Sequence, residues 1–162
     1  MSRAPRSESA VPSSRGRGES ERPVGSGRSV VLFTVAGVEY AIDAGRVRHL
    51  VPAGRETGRS VVFEGANYPP VDLRALFRLP AAPRTGRALL VDDGAGRTAA
   101  LMVDAAGTLA RLEERAVTPL PVVFRGRERR RFEALTLLDD RVVVVVSPRG
   151  LLADAAPTRV AV

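Results

Sequence analysis

The stretch VVLFTVAGVEYAI, residues 30–42, decides the fold class of this chain of 162 residues. Two apolar runs rich in β-branched and aromatic residues flank the dipeptide Ala36-Gly37, a combination that predicts a β-hairpin. Two later stretches have the same form, RALLVDDGAGRTAALMV at residues 87–103 and LTLLDDRVVVVV at residues 135–146. The five consecutive valines of the last stretch are typical of a strand that is buried on both faces. Together these hairpins predict an all-β fold.

Shorter apolar runs predict weaker strands elsewhere in the chain. They cover residues 60–64, 68–71, 107–112 and 122–124 and bring the expected number of strands to about ten. Only two short helices are expected, and they open on the capping residues Asp72 and Ser147. The pattern leaves two architectures open, one sandwich or two five-stranded barrels.

The composition excludes several classes of enzyme. All 25 basic residues are arginine, there is no cysteine, and His49 is the single histidine. Lysine-based phosphate binding, Schiff-base chemistry, thiol nucleophiles, disulfides and multi-histidine metal sites are therefore excluded. Since no nucleophile, base and orienting group occur together, we expect a protein that is not an enzyme and that needs no metal or cofactor.

The net charge of +7 is unevenly distributed along the chain. Residues 1–29 hold six Arg against three Glu, which gives +3, while residues 30–162 hold 19 Arg against 15 acidic residues, which gives +4. The first segment is rich in Ser, Gly and Pro and is predicted to be a disordered arm, because it has too little apolar surface to offset the cost of ordering its backbone. We expect residues 30–154 to form the folded domain and residues 155–162 a C-terminal tail.

Two explanations of the arginine excess stay open, an acidic or phosphate-bearing partner and a bias of the coding sequence. No apolar run reaches the length of about 18 residues that a membrane span needs. We therefore expect no membrane insertion and a cytoplasmic location.

Several polar residues that resemble catalytic groups have simpler structural interpretations. Asp92-Asp93 and Asp139-Asp140 lie between apolar runs, where Asp favours turns by bonding its own backbone. Asp72 is predicted to cap a helix rather than to act as an acid. His49 is expected to be a surface residue near the end of a short helix.

The arginine-rich run at residues 125–131 has two interpretations. It is either a patch that binds phosphate or an acidic partner, or a solvated hairpin loop that protects an edge strand from aggregation. An alternative function is therefore a small-barrel nucleic-acid-binding protein that uses the arm and this loop. Only Phe124 and Phe132 flank the run, which is fewer aromatic residues than single-stranded nucleic-acid platforms use.

Three stretches together resemble the CheW-like domain of bacterial chemosensory adaptors. The first is LFTVAGVEYAID at residues 32–43 followed by Val47, which matches the family's opening hairpin and first short helix. The second is Gly65 four residues before Pro69, followed by VDLR at residues 71–74. The third is LMVD, then Leu109, then VTPLP at residues 117–121, and Leu151-Leu152 fits the end of the domain. The order and spacing of these motifs cover residues 30–152.

The resemblance implies two packed five-stranded SH3-like barrels with short helices. It also implies a non-catalytic adaptor that couples the regulatory domain of a chemotaxis-type histidine kinase to the cytoplasmic hairpin tip of a chemoreceptor. Nucleic acid remains the alternative partner.

The candidate protein-binding residues lie beside the groove that the resemblance places between the barrels. Val47, Leu50 and Val51 have the spacing i, i+3, i+4 and are expected on the short helix after the first hairpin, either in the core or at an interface. Glu64 precedes Gly65 where the family usually has Arg, which reverses the charge at a position associated with receptor contact. The segment between Val47 and Gly65 is also shorter than is typical of the family.

Overall fold

The computed structural model describes residues 27–52, 60–81, 86–122, 126 and 128–155. Strands dominate these ranges, and the helices are short, as the apolar runs predicted. The strands are β1 (Gly27–Val35), β2 (Val38–Asp43), β3 (Val47–Pro52), β4 (Val61–Phe63), β5 (Ala66–Tyr68), β6 (Pro70–Asp72), β7 (Arg87–Asp92), β8 (Thr98–Val103), β9 (Ala105–Glu113), β10 (Val117–Pro119), β11 (Phe132–Leu138) and β12 (Arg141–Val146). The helices are α1 (Leu73–Leu76), α2 (Glu128–Arg131) and α3 (Pro148–Asp154), with 3-10 turns at Ala44–Arg46 and Glu114–Ala116.

Barrel I is a sheet in the order β10-β11-β12-β2-β1-β9. The strands at its two edges, β9 and β10, are consecutive in the chain and are joined by the turn Glu114–Ala116. They act as one bent strand that brings the two edges of the sheet together, so the barrel has five strands. Its interior is apolar and contains Val30, Leu32, Ala41, Leu112, Ala134, Val143 and Val145.

Barrel II consists of the sheet β3-β7-β8-β6 and the hairpin β4-β5. β5 continues into β6 across Pro69, whose carbonyl accepts a hydrogen bond of 2.8 Å from Ala100 N of β8. Since β5 and β6 both run along β8, they form one bent strand, and this barrel also has five strands. Tyr68, Ala88, Leu90 and Ala100 form its interior. The prediction of an all-β fold with two packed five-stranded barrels is confirmed.

One apolar layer lies between the two barrels and belongs to both. On β1, Val31, Phe33 and Val35 enter this shared layer, while the alternate residues face the interior of barrel I. On β7, Leu89 and Val91 enter it from the other side, while the alternate residues face the interior of barrel II. These strands are apolar without interruption because both of their faces are buried.

The same alternation explains the valine run of β12. Val143 and Val145 face the interior of barrel I, and Val144 and Val146 contact the shared layer. Val142, at the open end of the strand, remains 59% exposed. The expectation of a strand buried on both faces is therefore confirmed for all but the first of the five valines.

The first strand begins earlier than the sequence predicted. β1 begins at Gly27, three residues inside the predicted arm, because Gly27, Arg28 and Ser29 pair with β9. Arg28 also forms a salt bridge of 2.8 Å with Glu133. Residues 1–26 of the arm, residues 156–162 of the tail and residues 123–124 of the last weak strand lie outside the described residues.

The predicted caps and turns are confirmed. Asp72 accepts hydrogen bonds from the backbone of α1, and Ser147 accepts one from Gly150 N of α3. Asp92 and Asp93 accept bonds from the backbone of the turn that follows them. Asp139-Asp140 forms the two-residue turn between β11 and β12, with φ values of 48° and 61° that are typical of a type I′ hairpin.

A polar contact ties the first hairpin to barrel II. Asp104, directly after β8, receives two hydrogen bonds from Arg74 of α1, of 2.6 and 3.1 Å. It also accepts a bond of 2.8 Å from the backbone N–H of Ala36, at the turn between β1 and β2. The hydrogen bonds from Arg74 lower the pKa of Asp104, and they outweigh the burial that acts in the opposite direction.

We expect Asp104→Asn to lower the free energy of unfolding at pH 7 by about 1–3 kcal/mol, because Arg74 loses its ionic partner. The folded-state pKa is depressed, so this stabilisation is present above the unfolded-state pKa of about 3.9 and is lost as the pH falls through the folded-state value. Urea denaturation of both proteins between about pH 7 and pH 3 measures the effect. The difference in unfolding free energy between the two proteins should become smaller as the pH falls. A difference that stays constant with pH would contradict the ionic contribution.

Helices α2 and α3 contact each other through their backbones. A β-carbon placed on Gly150 of α3 would lie only 1.6 Å from the carbonyl oxygen of Arg130. Ser147 N donates to the Arg131 carbonyl over 2.7 Å, and the Arg131 side chain forms a salt bridge of 2.6 Å with Asp154. The absence of a side chain at residue 150 therefore permits the close approach of the two helices.

The sign of the stability change in Gly150→Ala tests this close approach. In a helix with free space, Gly→Ala stabilises a protein by up to about 1 kcal/mol. Here we expect the free energy of unfolding to fall by about 1–3 kcal/mol or more, since the new methyl group overlaps the backbone of α2. Thermal or urea denaturation gives the answer, and a stabilised variant would show that the helices are not held together at this point.

Candidate functional site

The predicted binding residues Val47, Leu50 and Val51 lie on strand β3 and not on a helix. In the described sheet, β3 is an edge strand that pairs only with β7. A bulge at Arg48 interrupts the pairing, and as a result Val47 and Leu50 both pack against the shared layer. Val51 packs in barrel II instead. The interpretation of the three residues as one helical stripe is therefore wrong, although all three are half-buried.

Strand β3 of barrel II and strand β9 of barrel I meet beside Leu50, at a junction that we call the inter-barrel groove. A β-carbon on Gly107 of β9 would lie 3.4 Å from Leu50 Cδ2 there. Gly107 is the extra residue of a bulge opposite Leu32 and Phe33, and its φ of 126° is one that side chains rarely permit. The bulge and the missing side chain let β3 and β9 approach closely at the floor of this groove.

The groove has an exposed apolar side chain on β9. Leu109 pairs with Val31 of β1 and so lies on the sheet face that covers the shared layer, yet it is 70% exposed. Ala106, on the same strand, is half-buried against that layer. The inter-barrel groove, defined here by Leu50, Ala106, Gly107 and Leu109, therefore presents apolar surface that the fold itself does not cover.

The tip of the β4-β5 hairpin carries Glu64 and Gly65. Their φ values of 47° and 79° make a two-residue turn, and both residues are exposed. Phe63, next to this tip, stacks on His49 of β3 with ring centroids 4.4 Å apart and planes inclined by 8°. The structure thus brings the predicted hairpin tip to the side of β3. No described residue forms an ion pair with the Glu64 carboxylate.

The start of β3 is fixed by an ionic cluster. Asp92, at the end of β7, accepts hydrogen bonds from Arg48 and, over 3.3 Å, from Arg46. Burial acts to raise the pKa of Asp92, but the bonds from Arg48, the Gly94 N–H and Arg46 together lower it. The carboxylate thus compensates part of the positive charge of the two arginines beside the groove.

Sequence reasoning missed Gly107 and the role of Leu109 in the groove. The apolar run at residues 107–112 predicted a strand here, but it did not indicate that the Leu109 side chain would be exposed. His49 is exposed, as expected, but it lies on a strand rather than at a helix end. Its stacking partner Phe63 was not foreseen.

The described residues contain no group of three or more His, Cys, Asp or Glu side chains arranged to hold a metal ion. In the part of the chain that the structure describes, no helix combines the length and apolar character needed to cross a membrane.

The structure defines a two-barrel domain with one shared core and with the exposed apolar side chain of Leu109 where the barrels meet. The model of the CheW-like domain family matches residues 29–156, and the chain belongs to this family. The fold is similar to the crystal structure of the scaffolding protein TtCheW from Thermoanaerobacter tengcongensis, with a TM-score of 0.61 and 22% sequence identity. That match covers 74% of this chain and 88% of TtCheW. A comparison with curated protein sequences finds no match.

Proposed function

We propose that this protein is a cytoplasmic, non-catalytic adaptor of chemosensory signalling. It binds the regulatory domain of a chemotaxis-type histidine kinase and the cytoplasmic tip of a chemoreceptor. Membership of the CheW-like domain family over residues 29–156 supports the class of function. The observation that carries the proposal is the inter-barrel groove, where Leu109 is 70% exposed beside a closely packed floor.

The groove suits a helical partner. A receptor tip made of a helical hairpin presents apolar side chains at intervals of three and four residues, and such a stripe docks into a groove of similar character. Leu50 comes from barrel II and Leu109 from barrel I, so one partner contacts both barrels at once. A receptor whose tip changes shape changes its affinity for this surface, and the adaptor passes that difference to the bound kinase.

The nucleic-acid alternative loses support from the position of Phe132. This ring packs on Phe77 at 5.3 Å and on Tyr40 at 6.4 Å. It is half-buried and is therefore not available as a stacking platform for a base. Residues 128–131 form helix α2 rather than the hairpin loop that was expected, and Arg125 and Arg127 lie outside the described residues.

The kinase contact is tested by calorimetry with the regulatory domain of the cognate kinase. We expect a stoichiometric complex with a dissociation constant in the micromolar range, about −8 kcal/mol. Leu109→Glu should leave this complex intact while weakening the binding of a receptor hairpin fragment. A folded kinase domain that gives no heat of binding at high micromolar concentration would contradict the adaptor function.

Glu64 is proposed to select the receptor. The carboxylate stands at the exposed tip of the β4-β5 hairpin, where the family usually has a guanidinium. A receptor tip that normally binds a guanidinium meets a carboxylate instead. In a close contact this mismatch of charge costs several kcal/mol of binding free energy. We infer that the cognate tip carries a basic residue at the matching position.

Glu64→Arg is expected to strengthen binding of a conventional receptor hairpin fragment by about tenfold, or 1.4 kcal/mol, with the gain shrinking at high salt. Asp140→Arg is the matched control, because Asp140 is also an exposed hairpin-turn residue with positive φ, 61°, and the change in charge is the same. Fluorescence anisotropy at two salt concentrations compares both variants with the parent protein. Equal affinities of all three proteins would remove the role of Glu64.

A further inference from the structure

Two arginines of helix α2 carry exposed positive charge. Several other described arginines form ion pairs, as Arg28 does with Glu133 and Arg131 with Asp154. Arg129 and Arg130 are exposed, and neither forms an ion pair or hydrogen bond with any described residue. Their positive charges are therefore uncompensated within the described fold.

The backbone that carries these two arginines is held firmly. Gly150 allows α3 to lie against the carbonyl of Arg130, and Ser147 N donates to the carbonyl of Arg131. The Arg131 side chain points inward, where it bonds Asp154 and the carbonyl of Leu76 at 2.9 Å. With the third arginine anchored inside, the two before it have their backbone fixed at the surface, which lowers the entropy lost when they bind a ligand.

A depression of about 330 Å³ lies beside Arg129 and Arg130. Its apolar lining consists of Pro119, Leu120 and Phe132. Glu133 also lines it, but the carboxylate of this residue is occupied by Arg28 at 2.8 Å. The basic depression, as we call this site, thus combines an apolar wall with two free guanidinium groups.

The surroundings limit the length of an anionic ligand. An adjoining depression of about 250 Å³ shares Glu133 and Ser147 with the first and is lined by Asp43 and Asp93 as well as by Arg46 and Arg149. A long polyanion that continued past Arg129 and Arg130 would meet charges of both signs here rather than a continuous basic surface. The charge pattern favours a short acidic segment over a nucleic acid.

We propose that the basic depression binds a short peptide segment of a protein partner, in which acidic residues flank one apolar side chain. The guanidinium groups of Arg129 and Arg130 pair with the carboxylates, for which their planar donors are well suited. The apolar side chain packs on Pro119 and Leu120. This site is separate from the inter-barrel groove, and the proposal does not depend on the adaptor function.

The test uses the full-length protein and a fluorescein-labelled peptide that contains the run Glu-Asp-Leu-Glu-Asp between Gly-Ser flanks. Fluorescence anisotropy at about 50 mM salt, where screening is moderate, should give a dissociation constant below about 1 mM. We expect Arg129→Glu and Arg130→Glu each to weaken binding at least about fivefold, in line with the loss of one ion pair and a new repulsion. Replacing the peptide's Leu by Ser should also weaken binding.

Arg87→Glu is the matched control, since Arg87 is an exposed arginine of β7 whose side chain forms no ion pair with a described residue and does not line the basic depression. The affinity of this variant should change less than about twofold, the effect of net charge alone in moderate salt. Thermal melting of all three variants confirms that each is folded.

Three results would overturn the proposal. The first is no binding of the peptide at 1 mM, roughly the weak limit of specific peptide recognition. The second is an equal loss of affinity in Arg87→Glu, which would mean that net charge alone attracts the peptide. The third is displacement of the peptide by a short single-stranded DNA oligonucleotide at lower concentration than by unlabelled peptide, which would assign the site to nucleic acid.

Discussion

The apolar layer shared by the two barrels is the constraint on which the remaining structure depends. Phe33, Leu89 and Leu101 are buried in this layer, and each contributes about 1.5–3 kcal/mol by leaving water. The barrels cannot separate without exposing all of these side chains at once. Burial of this layer holds the two barrels together, and polar contacts such as that between Arg74 and Asp104 help to fix their relative orientation. The pair of barrels is therefore expected to behave as one rigid body.

A rigid pair of barrels suits the proposed adaptor function. The inter-barrel groove has residues from both barrels, and Leu50 of one barrel lies close to Gly107 of the other. The β4-β5 hairpin is kept beside β3 by the stacked rings of His49 and Phe63. The basic depression is fixed in the same way by the packing of α3 on α2. Because these surfaces belong to one body, the separation and orientation of bound partners follow from the fold.

The hairpins of the chain could be predicted from sequence because the decisive information is local. A turn residue between two apolar runs is enough to define each of them. The segment 47–52 was misjudged because a β-bulge imitates a helix. The extra residue Arg48 places Val47 and Leu50 on the same face, as a helix would, so the spacing of apolar residues alone cannot separate the two structures.

Other features of the candidate sites depend on contacts between distant segments. The exposure of Leu109 depends on which distant segments reach β9, and no local pattern records this. The arginines of α2 look equivalent in sequence, yet Arg131 is held inside by Asp154 while Arg129 and Arg130 remain outside. Similarly, Gly150 is an ordinary residue of the short helix predicted after Ser147, and only the structure places the carbonyl of Arg130 against it.

The rigidity of the two barrels is tested most directly by native-state hydrogen exchange, with urea added in steps below the unfolding transition. The amides to compare are those of β12 in barrel I and those of β8 in barrel II. If the shared layer joins the barrels into one cooperative unit, both sets will show the same opening free energy and the same dependence on urea. A lower opening free energy and a smaller urea dependence for β8 alone would show that barrel II unfolds separately, and this would contradict the account.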